Sequence, residues 1–210
     1  MTTPVYVKPA QRIITEEFSD TSVYLPPLRD ESKINELKSK LLTQLQKTNI
    51  PPIIMVKTGT SIGSKLGGDG RTMVLGFGDT RRGIRQFKSN ARHPELLKAV
   101  IEFGNAVLPV GFEYSAITVN KNMNAKRHVD RVNGGLSYII GLGDFTGGNI
   151  IVWDKDGKES KDYDLNGKPI GFSGAILYHQ TAPFVGERYT LIYYKQKWEG
   201  GIDGYKTVGE

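Results

Sequence analysis

Five short apolar segments, separated by glycine-containing turns, fill the chain from Tyr114 to Lys195 and constrain its fold more than any other feature. They are YSAITVN, LSYIIGLG, GNIIVW, GKPIGFSGAILYH and RYTLIYYK. Segments of this length with glycine turns between them are typical of antiparallel strands. The 25 glycines among 210 residues agree with a turn-rich protein. This half is therefore predicted to form an antiparallel sandwich or jelly roll.

Two amphipathic helices are predicted before these strands. Apolar residues recur at helical spacing in DESKINELKSKLLTQLQKTN, and Pro94 suits the first turn of a second helix. The predicted buried residues are Ile34, Leu37, Leu41 and Leu45 in the first helix and Leu97, Val100, Ile101 and Val107 in the second. Helices followed by strands define the α+β class. We expect one domain over residues 1–210, with an extended arm (1–28), a supporting part of helices and strands (29–112) and a β-rich catalytic core (113–198).

Composition excludes several kinds of site. The sequence contains no cysteine, which excludes disulfides, cysteine-ligated zinc and thiol nucleophiles. It has neither an apolar run long enough to span a bilayer nor a signal-peptide pattern. We therefore expect an intracellular protein, in the cytoplasm or nucleus, with no membrane partner. The net charge of +6 and pI near 9.3 favour an anionic partner, either nucleic acid or a carboxylate-bearing small molecule, although such charge also serves solubility.

The segment AKRHVDRVNGG contains the strongest candidate for a metal site. His128 and Asp130 are two positions apart, so on an extended segment both side chains point to one side and both reach one ion. The chain has only three histidines. His179, predicted at the end of an apolar strand, is a better third ligand than His93, which precedes a helix in a basic loop. Two histidines and one carboxylate form the ligand set of non-haem Fe(II) oxygenases.

A second candidate site follows His179 in the sequence. Arg188 and Thr190 share one face of the predicted strand RYTLIYYK. A guanidinium binds a carboxylate through paired hydrogen bonds, and a hydroxyl two residues on adds another. The implied ligand is a dicarboxylate that chelates the metal at one end and meets Arg188 at the other.

These residues together make the chain resemble the 2-oxoglutarate/Fe(II)-dependent oxygenases over roughly Tyr114 to Lys195. The resemblance implies a double-stranded β-helix core (jelly-roll, cupin-like) with N-terminal supporting helices. It also implies Fe(II), 2-oxoglutarate and O₂ as cofactors, with ascorbate as an auxiliary reductant. The segment HVDRVNGGLSYIIGLGDFTGG is similar to the ten-eleven-translocation and base-J-binding-protein branch, which oxidises the methyl group of 5-methylcytosine or thymine. By that resemblance Asn133 would bind the edge of a flipped base, although asparagine is also common in turns before glycine.

Several further residues are second-tier candidates. Asn120, Asn122 and Tyr138 are predicted near the cosubstrate or substrate. Arg85 and Phe87 lie in the basic segment RRGIRQFKSNARH, where cations would hold phosphates and the ring would stack on a base. More cations flank the metal motif: Lys121, Lys126, Arg127 and Arg131. The alternative for all of them is a solvated surface or a local structural role.

Three functions therefore compete at this point. The first is an oxygenase acting on a pyrimidine methyl group in nucleic acid, with DNA favoured over RNA. The second is a protein (prolyl-type) or small-molecule hydroxylase with the same iron site. The third is a non-catalytic β-sandwich binding module whose histidines are structural. The sequence does not fix the oligomeric state.

Overall fold

The computed structural model of the protein describes residues 21–26, 31–53, 66–67, 70–80, 83–130 and 133–196. The helices are α1 (Glu31–Lys47), α2 (Lys88–Arg92) and α3 (Pro94–Val107). The strands are β1 (Leu66–Gly67), β2 (Arg71–Thr80), β3 (Gly83–Gln86), β4 (Ala116–Lys121), β5 (Asn124–Ala125), β6 (Asn133–Gly147), β7 (Ile150–Trp153), β8 (Ser160–Tyr163), β9 (Ile170–Phe172), β10 (His179–Thr181) and β11 (Phe184–Gln196). Both predicted helices are thus confirmed as α1 and α3. The predicted arm, except for residues 21–26, lies outside the described residues.

The strands form two main antiparallel sheets. The larger sheet has the order β3-β2-β4-β11-β6-β9, the smaller one has the order β10-β7-β8, and β1 pairs with β5. The long strands β6 and β11 pair along most of their length at the centre of the larger sheet. This arrangement is a jelly roll supported by helices, which confirms the predicted α+β class and β-helical core.

Two apolar cores hold the layers together. One core lies between α1, α3 and one face of the larger sheet, and it includes Leu41, Val100, Phe103 and Leu191. The other lies between the two sheets and includes Ile139, Val152 and Phe172. The larger sheet is therefore covered on both faces. Its central strands are almost continuously buried, as in β6 from Ser137 to Leu142.

Side chains alternate between these two cores along β11. Tyr189, Leu191 and Tyr193 face the helices, while Ile192 packs into the core between the sheets. Because successive strand residues point to opposite faces, Arg188 and Thr190 share the inner face with Ile192.

The structure corrects three local predictions. His179 begins β10 instead of ending a strand, because residues 174–177 form a turn after β9. The glycine-containing turn predicted between LSYIIGLG and GNIIVW instead continues β6 as far as Gly147. The predicted basic loop contains β3 and α2. No helix in the described part of the chain has the length and apolarity needed to cross a membrane.

Candidate metal centre and anion site

The structure brings together the three side chains predicted to bind a metal. His128 and His179 form an antiparallel bridge in which each backbone N–H donates to the other residue's carbonyl, with N···O distances of 3.0 and 2.9 Å. The Asp130 N–H donates to the Gly174 carbonyl at 2.8 Å. Directly opposed residues of an antiparallel pair project side chains to the same face. The two imidazole rings accordingly lie with their centroids 4.3 Å apart.

The three groups offer ligand atoms around one point. His128 Nε2 lies 3.4 Å from Asp130 Oδ1, and His179 Nε2 lies 3.7 Å from Asp130 Oδ2. One ligand atom from each residue falls within 4.8 Å of the others. Ligands about 2.1 Å from a shared ion lie about 3–4 Å from one another. The spacing therefore suits a single metal ion.

Hydrogen bonds set both histidines in the tautomer that a metal needs. His128 Nδ1 lies 2.6 Å from the Lys126 carbonyl, and His179 Nδ1 lies 3.0 Å from the Leu177 carbonyl. A carbonyl only accepts, so each Nδ1 carries the proton and each Nε2 keeps its lone pair toward the aspartate. Burial lowers the pKa of His179, although the nearby Asp130 carboxylate opposes this effect. With Nδ1 bonded to a backbone carbonyl, each ring presents Nε2 to the space shared with Asp130.

Asn133 lies directly against this group. Its side chain is buried, and its Nδ2 donates to Asp130 Oδ2 at 3.0 Å and to Ser137 Oγ at 3.3 Å. The sequence placed Asn133 at the substrate. The structure places it on the metal carboxylate, and its contact with a base stays a prediction.

Arg188 forms a second polar feature in the interior. Its side chain is only 2% exposed. Nη2 donates to the Gly148 carbonyl at 2.8 Å and Nη1 to the Met123 carbonyl at 3.4 Å, while Nε has no partner. The guanidinium also lies 5.3 and 5.6 Å from the ring centroids of Phe184 and Phe145. Neutral carbonyls and aromatic rings are thus its described neighbours.

This arginine is a buried cation without a described anion. Burial lowers its pKa to about 10, so the group stays charged at neutral pH. Among the described residues it forms no ion pair. A charge taken out of water is costly unless it is paired. Arg188 is therefore suited to bind a carboxylate ligand through its free N–H.

A chain of hydrogen bonds runs beside Arg188 to Thr190. Thr72 Oγ1 donates to Asn120 Oδ1 at 2.7 Å, and Asn120 Nδ2 donates to Thr190 Oγ1 at 3.3 Å. The three residues are directly opposed on β2, β4 and β11. Because Thr190 Oγ1 accepts from Asn120, its own proton is available for a further acceptor. The predicted substrate residue Asn120 thus lies in the same row as Thr190.

Both sites lie on the inner side of the jelly roll. Arg188 and Thr190 share their sheet face with Ile192, which contacts the core between the sheets. The ring of Phe172, from the same core, lies 5.0 Å from the His179 ring centroid. The metal group and the guanidinium therefore border one interior.

Two other predicted cosubstrate residues do not present a side chain there. Asn122 Oδ1 accepts from the Arg188 backbone N–H at 2.9 Å, and its own N–H donates to the Arg188 carbonyl at 2.7 Å. It therefore holds the Arg188 backbone. Tyr138 lies on the opposite face, in the core against the helices, with its ring 4.8 Å from that of Phe112. Burial raises the pKa of Tyr138 to about 12.

The basic segment is more ordered than its sequence indicates. Arg85 is exposed on β3, and Phe87 is half-buried before α2. A Cβ on Gly78 would lie 2.2 Å from the Phe87 ring and 2.5 Å from the Gln196 side chain, so the ring packs over the sheet at this glycine. Stacking of Phe87 on a base stays a prediction. Of the cations in this segment and beside the His128–Asp130 motif, Arg81, Arg82 and Arg131 lie outside the described residues.

Arg127, next to the first histidine, has a structural environment. Its guanidinium lies 4.4 Å from the Trp153 ring centroid and 4.8 Å from that of Tyr178, and Nη2 donates to the Gly157 carbonyl at 2.8 Å. These contacts connect the segment before His128 to the smaller sheet.

Sequence reasoning missed Thr72 and Gly148. Thr72 belongs to the row only through strand register, which no residue pattern indicates. Gly148 has φ of +70° and its carbonyl meets Arg188; a Cβ there would lie 2.7 Å from Arg188 Nε. The adjacent pair of glycines after β6 was the available signal for such a close approach.

Comparisons with known proteins support the fold. No protein-family model and no curated protein sequence matches this chain. Similar solved structures include a prolyl-4-hydroxylase from Pseudomonas putida, at 14% identity and TM-score 0.51, covering 84% of this chain and 92% of that one. A prolyl hydroxylase from Trichoplax adhaerens, in complex with a hypoxia inducible factor peptide fragment, has 12% identity and TM-score 0.53, with 83% and 84% coverage. NgTET1 in complex with 5mC DNA has 13% identity and TM-score 0.49, with 80% and 69% coverage.

Proposed function

We propose that this chain is an Fe(II)- and 2-oxoglutarate-dependent oxygenase. The observation that carries the proposal is a two-histidine, one-aspartate group that shares a jelly-roll interior with a buried guanidinium. The prolyl hydroxylases similar to it in fold support the same activity.

The donor sets fit both cofactors. Two neutral imidazoles and one carboxylate suit Fe(II) and leave further coordination positions open. The unpartnered Nε of Arg188 and the available proton of Thr190 suit the far carboxylate of a dicarboxylate. When bound, iron and 2-oxoglutarate supply the oxidising chemistry, in which O₂ is consumed, the cosubstrate becomes succinate and CO₂, and a substrate C–H becomes C–OH.

The protein's own residues bind, orient and exclude water. His128, Asp130 and His179 hold the metal, with both imidazoles fixed by their carbonyl partners. Arg188 and Thr190 hold the cosubstrate, and the surrounding apolar core keeps that end dry. A carboxylate bound there offsets the cost of burying the guanidinium.

Metal binding tests the first half of the proposal. Wild-type protein should bind Mn(II), a redox-inert substitute for Fe(II), as measured by the loss of the free Mn(II) electron paramagnetic resonance signal. His128→Ala and Asp130→Ala should each abolish this binding. His93→Ala, which alters the histidine between α2 and α3, is the matched control and should bind as wild type does. Equal binding by all four proteins would reject the site.

For the substrate, we propose the methyl group of a modified pyrimidine in nucleic acid, DNA before RNA. The net charge of +6 and the exposed Lys126 and Arg85 support an anionic polymer. Protein with Fe(II), 2-oxoglutarate and ascorbate should convert 5-methylcytosine or thymine in oligonucleotides to hydroxymethyl products, as measured by nucleoside mass spectrometry. Succinate formation with no oxidised base in any DNA or RNA would reject this substrate but keep the oxygenase.

Hydroxylation of a peptide prolyl residue is the second candidate. It is favoured by the fold similarity to two prolyl hydroxylases. Proline-containing peptides in the same succinate assay distinguish the two, since only one substrate class should stimulate turnover. Binding to oligonucleotides that weakens steeply with salt would favour nucleic acid.

A further inference from the structure

We infer that Asn133 is a positioning residue, which fixes the rotation of the Asp130 carboxylate between the two histidines of the proposed metal site. The inference rests on the proposed function, because it concerns how the proposed metal is held. The family resemblance implied a different role for Asn133, contact with a flipped base.

The hydrogen bonds of Asn133 are the first reason. Its Nδ2 lies 3.0 Å from Asp130 Oδ2 and 3.3 Å from Ser137 Oγ. A carboxylate only accepts, so the amide must present its nitrogen to Asp130. Both N–H groups then have acceptors within the protein. The side chain is also only 4% exposed, which leaves little surface for a substrate.

The asymmetry of the carboxylate is the second reason. Oδ2 contacts the Asn133 amide, and a Cβ at Gly174 would lie only 3.1 Å from it. Oδ1 has the shorter distance to a ligand nitrogen, 3.4 Å to His128 Nε2. An N–H donor on one oxygen favours the ionised form and fixes the rotation of the group. Oδ2 also lies 3.7 Å from His179 Nε2. Asn133 and the close approach at Gly174 therefore fix the rotation of the carboxylate between the two imidazoles.

Backbone geometry holds the asparagine in this position. Asn133 begins β6, where it is opposed to Gln196 of β11. Its backbone N–H lies 3.4 Å from the Asp130 carbonyl. The pairing of β6 with β11 thus fixes the position of the Asn133 amide. The amide in turn fixes the orientation of the Asp130 carboxylate. Outer partners of this kind orient metal ligands, and their loss typically lowers metal affinity or activity about 10–100-fold.

Three variants separate the effect of the Asn133 N–H donor from the effect of its side-chain volume. Asn133→Leu keeps the volume but loses the N–H, Asn133→Ala loses both, and Asn133→Gln keeps an amide. Mn(II) affinity should fall about 10–100-fold in the Leu and Ala variants, with partial recovery in the Gln variant. Asn124→Ala, at an exposed asparagine of β5, is the control and should keep wild-type affinity. Thermal melting of each protein identifies any variant that fails to fold. If either Asn133→Leu or Asn133→Ala fails to fold, the Mn(II) affinity of the other variant tests the inference.

The outcomes are distinct. Wild-type affinity for Mn(II) in folded Asn133→Leu or Asn133→Ala overturns the inference alone. Failure of the wild-type protein itself to bind Mn(II) overturns the proposed function and the inference with it. Unchanged metal affinity with weaker binding of methylated oligonucleotide would assign Asn133 to the substrate and refute the positioning role.

Discussion

Replacement of Arg188 by methionine should abolish cosubstrate binding with little loss of stability. The guanidinium is buried and has no described anionic partner. Its pKa falls from 12.5 to about 10 on burial, and each pKa unit corresponds to about 1.36 kcal/mol. The charge therefore costs the folded protein about 3 kcal/mol. A cation whose pKa is lowered by folding is disfavoured while protonated, so the full cost applies below pH 10 and hence at neutral pH.

The interactions lost in Arg188→Met contribute a free energy comparable to the cost of burying the charge. Two hydrogen bonds, to the carbonyls of Gly148 and Met123, contribute about 0.5–1.5 kcal/mol each. Contacts of the buried guanidinium with the rings of Phe145 and Phe184 contribute about 0.5–2 kcal/mol each. Methionine is unbranched and fills much of the same space. The free energy of unfolding of the ligand-free variant should therefore fall by no more than about 2 kcal/mol.

Urea unfolding with and without 2-oxoglutarate, with Mn(II) present throughout, tests both the stability and the cosubstrate binding of Arg188→Met. At a ligand concentration of 100 Kd, the wild-type protein should gain about 2.7 kcal/mol, and Arg188→Met should gain nothing. Arg92→Met, at an exposed arginine of α2, should behave as wild type. Loss of a buried ion-pair partner would instead cost about 3–5 kcal/mol. A loss of that size in the ligand-free variant, or an undiminished ligand effect, would refute the reasoning.

Three further substitutions probe the packing. Gly104→Ala would gain about 1 kcal/mol in an isolated helix, but its Cβ would lie 2.7 Å from the Tyr193 ring, so urea unfolding should show a net loss of about 1–3 kcal/mol. Tyr193→Phe removes the hydroxyl that donates to the Val100 carbonyl at 2.8 Å, and its melting curve should show a loss of about 1 kcal/mol. Gly148→Ala places a Cβ 2.7 Å from Arg188 Nε at a φ of +70°, and calorimetric titration should show weaker 2-oxoglutarate binding as well as a lower melting temperature.

The grouping of His128, Asp130 and His179 was predictable from the sequence because it depends mainly on histidine, a residue type that is rare in this chain. The chain has only three histidines, and one of them is paired with an aspartate at i+2. The structure brings His128, Asp130 and His179 together as the sequence predicted. The helices were also predictable, since α1 and α3 each cover only one core and so show clear periodicity. The buried stripe of α3 was nevertheless partly misassigned, because Leu96 and Phe103 are buried where Leu97 and Ile101 were expected.

The faces of the central strands were not predictable. The larger sheet is covered by helices on one side and by the second sheet on the other, so β6 is buried on both faces over Ser137–Leu142. The pattern of apolar residues then does not indicate to which face of the sheet a side chain points. Tyr138 was expected near the cosubstrate for this reason, although it faces the helices. The contact of Asn133 with Asp130 depends on where β6 begins relative to Asp130, which no residue type specifies.

The reciprocal backbone pairing of His128 with His179 has a consequence for the proposed binding of a metal. Two residues separated by about fifty positions are joined by an isolated backbone bridge, so the entropy of closing that loop is lost during folding and not on metal binding. The metal-free site should keep its geometry, so that ions bind and dissociate without unfolding the chain. Chelation by EDTA should therefore remove the metal reversibly, with the far-ultraviolet circular dichroism unchanged.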